Sequence, residues 1–440
     1  MKKIIAFLLC AIFLLGATGC AGTHTQDPVS TPTPASPHDP IEASPPAEVT
    51  SEEIVDELPL PMFEISVLFD LDLDSNIERI FEFHEGMAAI YHFDENNPYG
   101  RVWYSVGYID TGGNLAIPME FPYSNHEIYG GEIPRFSEGL VRVVKFFDFP
   151  MGYFTGYSDK TGNIVIPFQF EYAYDFNGGL SPVSILDEET WEETWSIINK
   201  TGEVVLETDY YFINEFSEGF AAFMCSDEDL FGFMDTNFNV VIPPTYSGAQ
   251  KFSEGLAAVA TGGWRDRTWG FIDKSGELVI PFKYDYVSEF TEGFAAATTG
   301  NGLFGYIDKE GNEIIPFEFD IELNEVHFGA DFTPPVFSNG LVVLLTGGWE
   351  NPKVNIFNTS GNLVRSFDEY DVGKCFSEGV AAVRCRETEL WGYIDMAGNL
   401  ITPLKYTYAG NFSEGLAAVA TGDWESLSWS ILTISAKTTR

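Results

Sequence analysis

Seven glutamates stand at one place in a recurring phrase: Glu85, Glu138, Glu218, Glu254, Glu292, Glu378 and Glu414. Carboxylates are the working groups of acid–base catalysis, and glycoside hydrolysis uses two of them in unlike environments. A residue repeated seven times meets much the same surroundings each time, so these acids are expected to cap turns. His84, His92, His126 and His327 are scattered without ligand spacing, and are expected to be solvated or hydrogen-bonded structural residues. Asp70-x-Asp72-x-Asp74 opens like a calcium loop, but Ser75 occupies the glycine position and Phe81 that of the bidentate glutamate. With Leu71 and Leu73 between the acids, this segment reads as a half-exposed strand. Nucleophile elbow, phosphate loop, paired-cysteine motif and His-Glu-x-x-His are all absent from the sequence. No catalytic residue, metal or cofactor is assigned. Three tryptophans remain, Trp264, Trp349 and Trp424, each twelve residues after a repeat phenylalanine in a Thr-Gly-Gly-Trp or Thr-Gly-Asp-Trp loop. Flat indoles on loops stack on sugars or anchor partners, so these three are the candidate ligand-binding residues.

The elements that position these residues come from the phrase itself, Phe, a small polar residue, Glu, Gly and an apolar run. It begins at Phe83, Phe136, Phe176, Phe216, Phe252, Phe290, Phe337, Phe376 and Phe412. Self-similarity at about 40 residues marks solenoids and propellers, in which each unit buries its apolar surface against its neighbours. In the clearest unit Leu256–Thr261 and Trp269–Asp273 read as two strands, and Leu278–Phe282 as a third. Between the last two, Asp273-Lys274-Ser275-Gly276 has the chemistry of a tight turn ending in a left-handed glycine. The turn recurs at Asp110, Asp159, Asn199, Asp308, Asn358 and Asp395, while Asp235 to Phe238 lacks the glycine.

On Trp269-Gly270 and Trp391-Gly392, with Phe231-Gly232 and Phe304-Gly305 in other units, the chain resembles the bacterial WG repeat family over about residues 80 to 434. The resemblance implies β-rich repeats, often on secreted or surface proteins, and no shared enzymatic activity. The units at Phe176 and Phe337 depart most, with Gly178 and Asn339 in place of the glutamate. Strands such as Leu256–Ala260 are apolar on both faces, and therefore covered on both. Packed blades meet that condition, so the expected all-β fold is a closed β-propeller of eight to nine blades, with an open β-hairpin solenoid as the alternative. The last unit stops without its Ile-Pro strand, and the unmatched strand Phe63–Phe69 would complete it and close a ring.

Composition and the N-terminal segment set the expected location. With 23 Lys and Arg against 66 Asp and Glu the formal net charge is −43, a surface that repels phosphate backbones and excludes nucleic acid as a partner. Residues 1–19 read as a signal peptide: Lys2 and Lys3, the apolar run Ile4 to Leu15, then small residues before Cys20. The order resembles the lipobox of bacterial lipoproteins, which implies a lipid on Cys20; Ala17 departs from the usual leucine. Residues 20–58 are rich in Pro, Ser and Thr and form a disordered stalk reaching roughly 35 Å as a coil. Residues 59–440 are the repeat domain. Cys225 and Cys385 are expected to be small buried side chains, and Cys375 with Cys385 is the pair that could oxidise outside the cytoplasm. The expectation is a cell-envelope lipoprotein, held to the membrane by its lipid alone, that binds a protein or envelope polymer without catalysis. The alternative is an envelope polysaccharide hydrolase or lyase.

Overall fold

A computed structural model describes residues 63–72, 77–93, 104–123, 134–148, 151–186, 193–225, 229–263, 266–300, 302–324, 334–348, 350–424 and 426–436. The chain divides into two units, Met1–Glu57 and Leu58–Arg440, and all described residues belong to the second. The signal peptide, Cys20 and nearly all of the stalk fall in the first unit, and the whole of residues 1–58 lies outside the described residues.

Among the described residues the strands form nine antiparallel sheets, one per phrase. Blade 5 shows the plan: Gly248–Ser253, Leu256–Thr261, Thr268–Asp273 and Leu278–Tyr284 pair in that order. These are the strands expected from the sequence, preceded by one that ends in the phrase. The nine apolar clusters each lie between two successive blades. Leu256 and Ala258 face blade 6 with Phe290 and Ala295, while Ala257 and Val259 face blade 4 with Ala222 and Phe233. A strand pressed between two sheets must be apolar on both sides, which is why these runs lack alternation. The phrase phenylalanines seal the joints; Phe83 and Phe252 are fully buried.

The ninth blade contains both ends of the domain. Tyr408–Ala409, Leu416–Thr421 and Ser428–Ala436 are joined by Phe63–Asp70, which pairs with the last strand from Phe63 opposite Ala436 to Asp70 opposite Ser430. The ring is thus closed as nine blades, and the solenoid alternative is excluded. Asp70 ends this strand and accepts the Ser430 hydroxyl at 2.7 Å, so it is spent on closure; Asp74 lies outside the described residues. The one helical segment described is a single turn, Ile321–Asn324, after blade 6.

The Trp-Gly glycine has a specific task. Next to it the ladder between third and fourth strands shifts register, between Trp269 and Phe271 in blade 5. There the fourth strand comes so close that a Cβ on Gly270 would lie 2.5 Å from the Ile280 carbonyl oxygen. Only glycine allows that approach.

Candidate ligand-binding faces

Antiparallel order divides the loops between two faces. One carries the Glu-Gly turns between first and second strands and the Asp-x-x-Gly turns between third and fourth. The other carries the loops between second and third strands, and the crossovers from blade to blade.

On the first face the repeated glutamates are accounted for. Their residues and the glycines that follow have φ near +50° and +80°, as in Glu85 (52°) and Gly86 (78°), the two-residue turn suited to a twisted hairpin. Each side chain reaches across to the next blade. Glu85 accepts the backbone N–H groups of Glu138 and Gly139 at 2.6 and 2.8 Å. Glu292 takes Asn339 and Gly340, and Glu414 closes the ring by taking Glu85 and Gly86, both at 2.7 Å. Glu138, Glu218, Glu254 and Glu378 each accept the corresponding glycine N–H. The acids do cap turns, but the turns they cap belong to the neighbouring blade. Asn339 does the same with its amide oxygen, accepting Gly379 N–H at 2.9 Å.

Two further residues reinforce the clamp. Lys160, Lys200, Lys274 and Lys309, which follow the turn aspartate or asparagine, donate to the backbone carbonyls of Glu85, Glu138, Glu218 and Glu254. They also sit 3.0–3.7 Å from the same carboxylates. The serine of the phrase donates to the next blade's phenylalanine carbonyl, as Ser137 does to Phe176 and Ser413 to Phe83, each at 2.6 Å. Sequence reading passed over this serine and lysine, although their recurrence at fixed positions is the signal. Desolvation pushes the Glu85, Glu218 and Glu254 carboxyls up, but the hydrogen bonds from backbone and lysine outweigh it and leave all three below the ordinary glutamate value. The turn aspartates are likewise closed within their turns: Asp273 Oδ1 accepts the N–H groups of Ser275 and Glu277 at 2.9 Å.

The second face carries the tryptophans. Trp424 is 69% exposed, at the second position of a turn in which Ser426 N–H donates to the Asp423 carbonyl. The same bond brackets positions 264 and 349, from Asp266 to Gly263 and from Asn351 to Gly348; Trp264 and Trp349 themselves lie outside the described residues. Elsewhere on this face aromatic residues are packed, as where Lys374 Nζ lies 5.4 Å from the Trp391 ring and 4.8 Å from that of Tyr408. Tyr211 is the other strongly exposed aromatic among the described residues, at 60%.

The other residues singled out by type are not gathered into a site. His84 and His92 are half-buried, and His126 and His327 lie outside the described residues. Burial and then Arg135 hold the His84 imidazole below its ordinary value. Among the described residues no group of three or more His, Cys, Asp and Glu is placed to hold a metal. Cys225, Cys375 and Cys385 are not joined in disulfides. Cys225 and Cys385 are only half-buried, a correction to the expectation of a buried core position: they stand at the end of the second strand, where the blade opens into its loop.

The WG containing repeat model matches residues 107–145, 156–187, 195–227, 231–263, 269–302, 304–320 and 391–423, half of the chain. The chain belongs to that family. The WG repeat matches skip blade 7, where Val354-Asn355 replaces Trp-Gly. No curated protein matches the chain. Among solved structures the WG repeat ring is similar to a eukaryotic initiation factor at 13% identity and TM-score 0.51, covering 80% of this chain and 94% of that one. It also aligns with the WD40 β-propeller domain of Doa1, at 9% identity and TM-score 0.29 over 84% and 97% of the two chains. The propeller of the Trilobed protease from Pyrococcus furiosus aligns at 12% identity and TM-score 0.31, over 59% and 93%. The first likeness is one of fold; the other two are too distant to carry an argument.

Proposed function

We propose that this WG repeat ring is a non-enzymatic binding scaffold, tethered outside the cytoplasm by a lipid on Cys20, that engages a protein or a cell-envelope polymer. One observation carries the reading: the two faces divide the labour. The repeated carboxylates of the first face are consumed in bonds between blades, which leaves no pair of them in unlike environments for acid–base work. The opposite face holds the loops that vary most between blades, and there Trp424 projects a large apolar surface into water. An exposed indole on a rigid frame is what a carbohydrate or a protein partner stacks against.

The test is capture from an envelope extract by the immobilised protein and by the Trp264→Ala, Trp349→Ala, Trp424→Ala triple variant. Loss of the captured partner with Tm nearly unchanged is the expected result, because exposed side chains contribute little to stability, within about 0.5 kcal/mol. Retained capture overturns the assignment of this face, and a large fall in Tm shows that the tryptophans pack instead. The anchor is read separately: fatty-acid labelling of the wild type should vanish in Cys20→Ser, and unchanged labelling rejects lipidation there.

A further inference from the structure

We infer that the Glu218–Gly219 turn of blade 4 is a recognition site for a carboxylate group supplied from outside the ring. The inference concerns the clamp face and is independent of the partner reading above. Eight of the nine joints are bridged by a side-chain oxygen that accepts turn N–H groups of the following blade. The exception is the joint from blade 3 to blade 4, where the acceptor position is Gly178, which has no side chain to offer. The companion lysine is missing as well, since Thr236 stands where Lys160, Lys200, Lys274 and Lys309 stand in other blades. Phe238 replaces the turn glycine and packs on the apolar cluster of Trp195, Ile197, Ile213 and Phe216, so this joint is held by apolar contact.

The receiving turn has nevertheless kept the clamped geometry. Glu218 and Gly219 have φ of 51° and 87°, against 52° and 89° at Glu254 and Gly255, which do receive a carboxylate. The reciprocal bonds between Ser217 and Phe220 are intact at 2.8 and 2.9 Å. Among the described residues no acceptor meets the N–H groups of Glu218 and Gly219. In the equivalent turns of blades 1, 2 and 7 both N–H groups meet a carboxylate at 2.6–2.8 Å. The turn lies at the surface, where Glu218 and the facing Gly178 are both exposed. Two convergent, fixed backbone donors form a nest for a two-oxygen anion. Lys274 is occupied by the carboxylate of Glu218 itself, at 3.1 Å, and the net charge of −43 disfavours polyanions. The ligand class is therefore a single carboxylate, from an acidic side chain or from a chain terminus.

The test uses the full-length protein labelled with 15N-glycine, with the Gly219 amide resonance assigned by its loss in Gly219→Asn. Propionate serves as the side-chain probe, N-acetylalanine as the terminus probe and propionamide as the uncharged control. A carboxylate probe should shift Gly219 saturably, with a dissociation constant on the order of 1–10 mM, while propionamide does not; the tighter of the two probes identifies the source. In Gly178→Glu the built-in carboxylate should move Gly219 without ligand and weaken the probe's effect at least ~10-fold. If that variant fails to fold, Gly178→Asn takes its place, because Asn339 already closes a joint in this way. A Gly219 resonance unmoved by either carboxylate at ~100 mM, an equal response to propionamide, or an unchanged response in the Gly178 variant overturns the inference.

Discussion

At the scale of single residues, two kinds of glycine do different work and should fail differently. Gly276 ends its hairpin turn at φ 86°, and Gly276→Val should cost about 1 kcal/mol or more, through backbone strain that a β-branched residue tolerates poorly. Gly270 has ordinary backbone geometry but lies against the Ile280 carbonyl, 2.5 Å from where a Cβ would be. Gly270→Ala must push the fourth strand away and should cost more, about 2–3 kcal/mol. Thermal unfolding of the two variants decides the order; an equal or smaller loss for Gly270→Ala would show that the strands tolerate separation there. The clamp glutamates permit a finer comparison. Glu254→Gln keeps an oxygen for Gly293 N–H, the arrangement Asn339 already uses, whereas Glu254→Ala leaves that group to water. The alanine variant should lose about 1 kcal/mol and the glutamine variant about half of that. Equal losses would mean that charge, and not the acceptor, matters at this joint.

The element that distinguishes this ring is the joint between blades, and its chemistry makes stability depend on pH. Glu85, Glu218 and Glu254 titrate below 4.5 in the folded ring, so the unfolded chain takes up protons at a higher pH than the native one. Asp159, held mainly by the Thr161 hydroxyl, is depressed to about 2. Their contribution is complete above the unfolded values and is lost as pH falls through the folded ones. His84 acts in the same direction a little earlier: its folded value is below 6.5, so acid favours unfolding there too. Tm should be flat from about pH 7 to about pH 8, fall slightly below pH 6.5, and fall steeply below about pH 4.5. A Tm that rises between pH 5 and pH 3, as relief of a net charge of −43 would produce on its own, contradicts this account.

For the whole molecule the question is closure. Blade 9 is joined to blade 1 by the apolar cluster that includes Ile80, Phe83 and Trp429, by hydrogen bonds from Trp429 Nε1 to the Ile77 carbonyl, from Asn411 to Glu82 and from Ser413 to the Phe83 carbonyl, and by the Glu414 clamp. The strand Phe63–Asp70 completes blade 9 from the other end of the domain. Removing residues 63–70 should expose the edge of the Ser428–Ala436 strand and open the ring at blade 9, with lower Tm and self-association through the bare edge. Calorimetry and light scattering read both; an unchanged, monomeric ring would mean that the joint contacts alone hold it shut.

The order of the nine repeats, the hairpin glycines and the strands of each unit were legible in the sequence. Each depends on residues close together in the chain, or on a pattern repeated until it is unmistakable. The choice among eight blades, nine blades and an open solenoid was decided only by the pairing of Phe63–Asp70 with the last strand. The apolar runs on both strand faces, as in Leu256–Ala260, were enough to require a neighbour on either side. Which neighbour a side chain reaches was decided only in three dimensions. The partners of Glu85 are 53 and 54 residues away, and those of Glu414 are 329 and 328; no local spacing encodes such a bond. For the same reason Gly178 read in sequence only as a departure from the repeat. Packing blade 3 against blade 4 turned that missing side chain into a pair of N–H groups that no acceptor meets among the described residues, because eight bridged joints define where the ninth bridge should be.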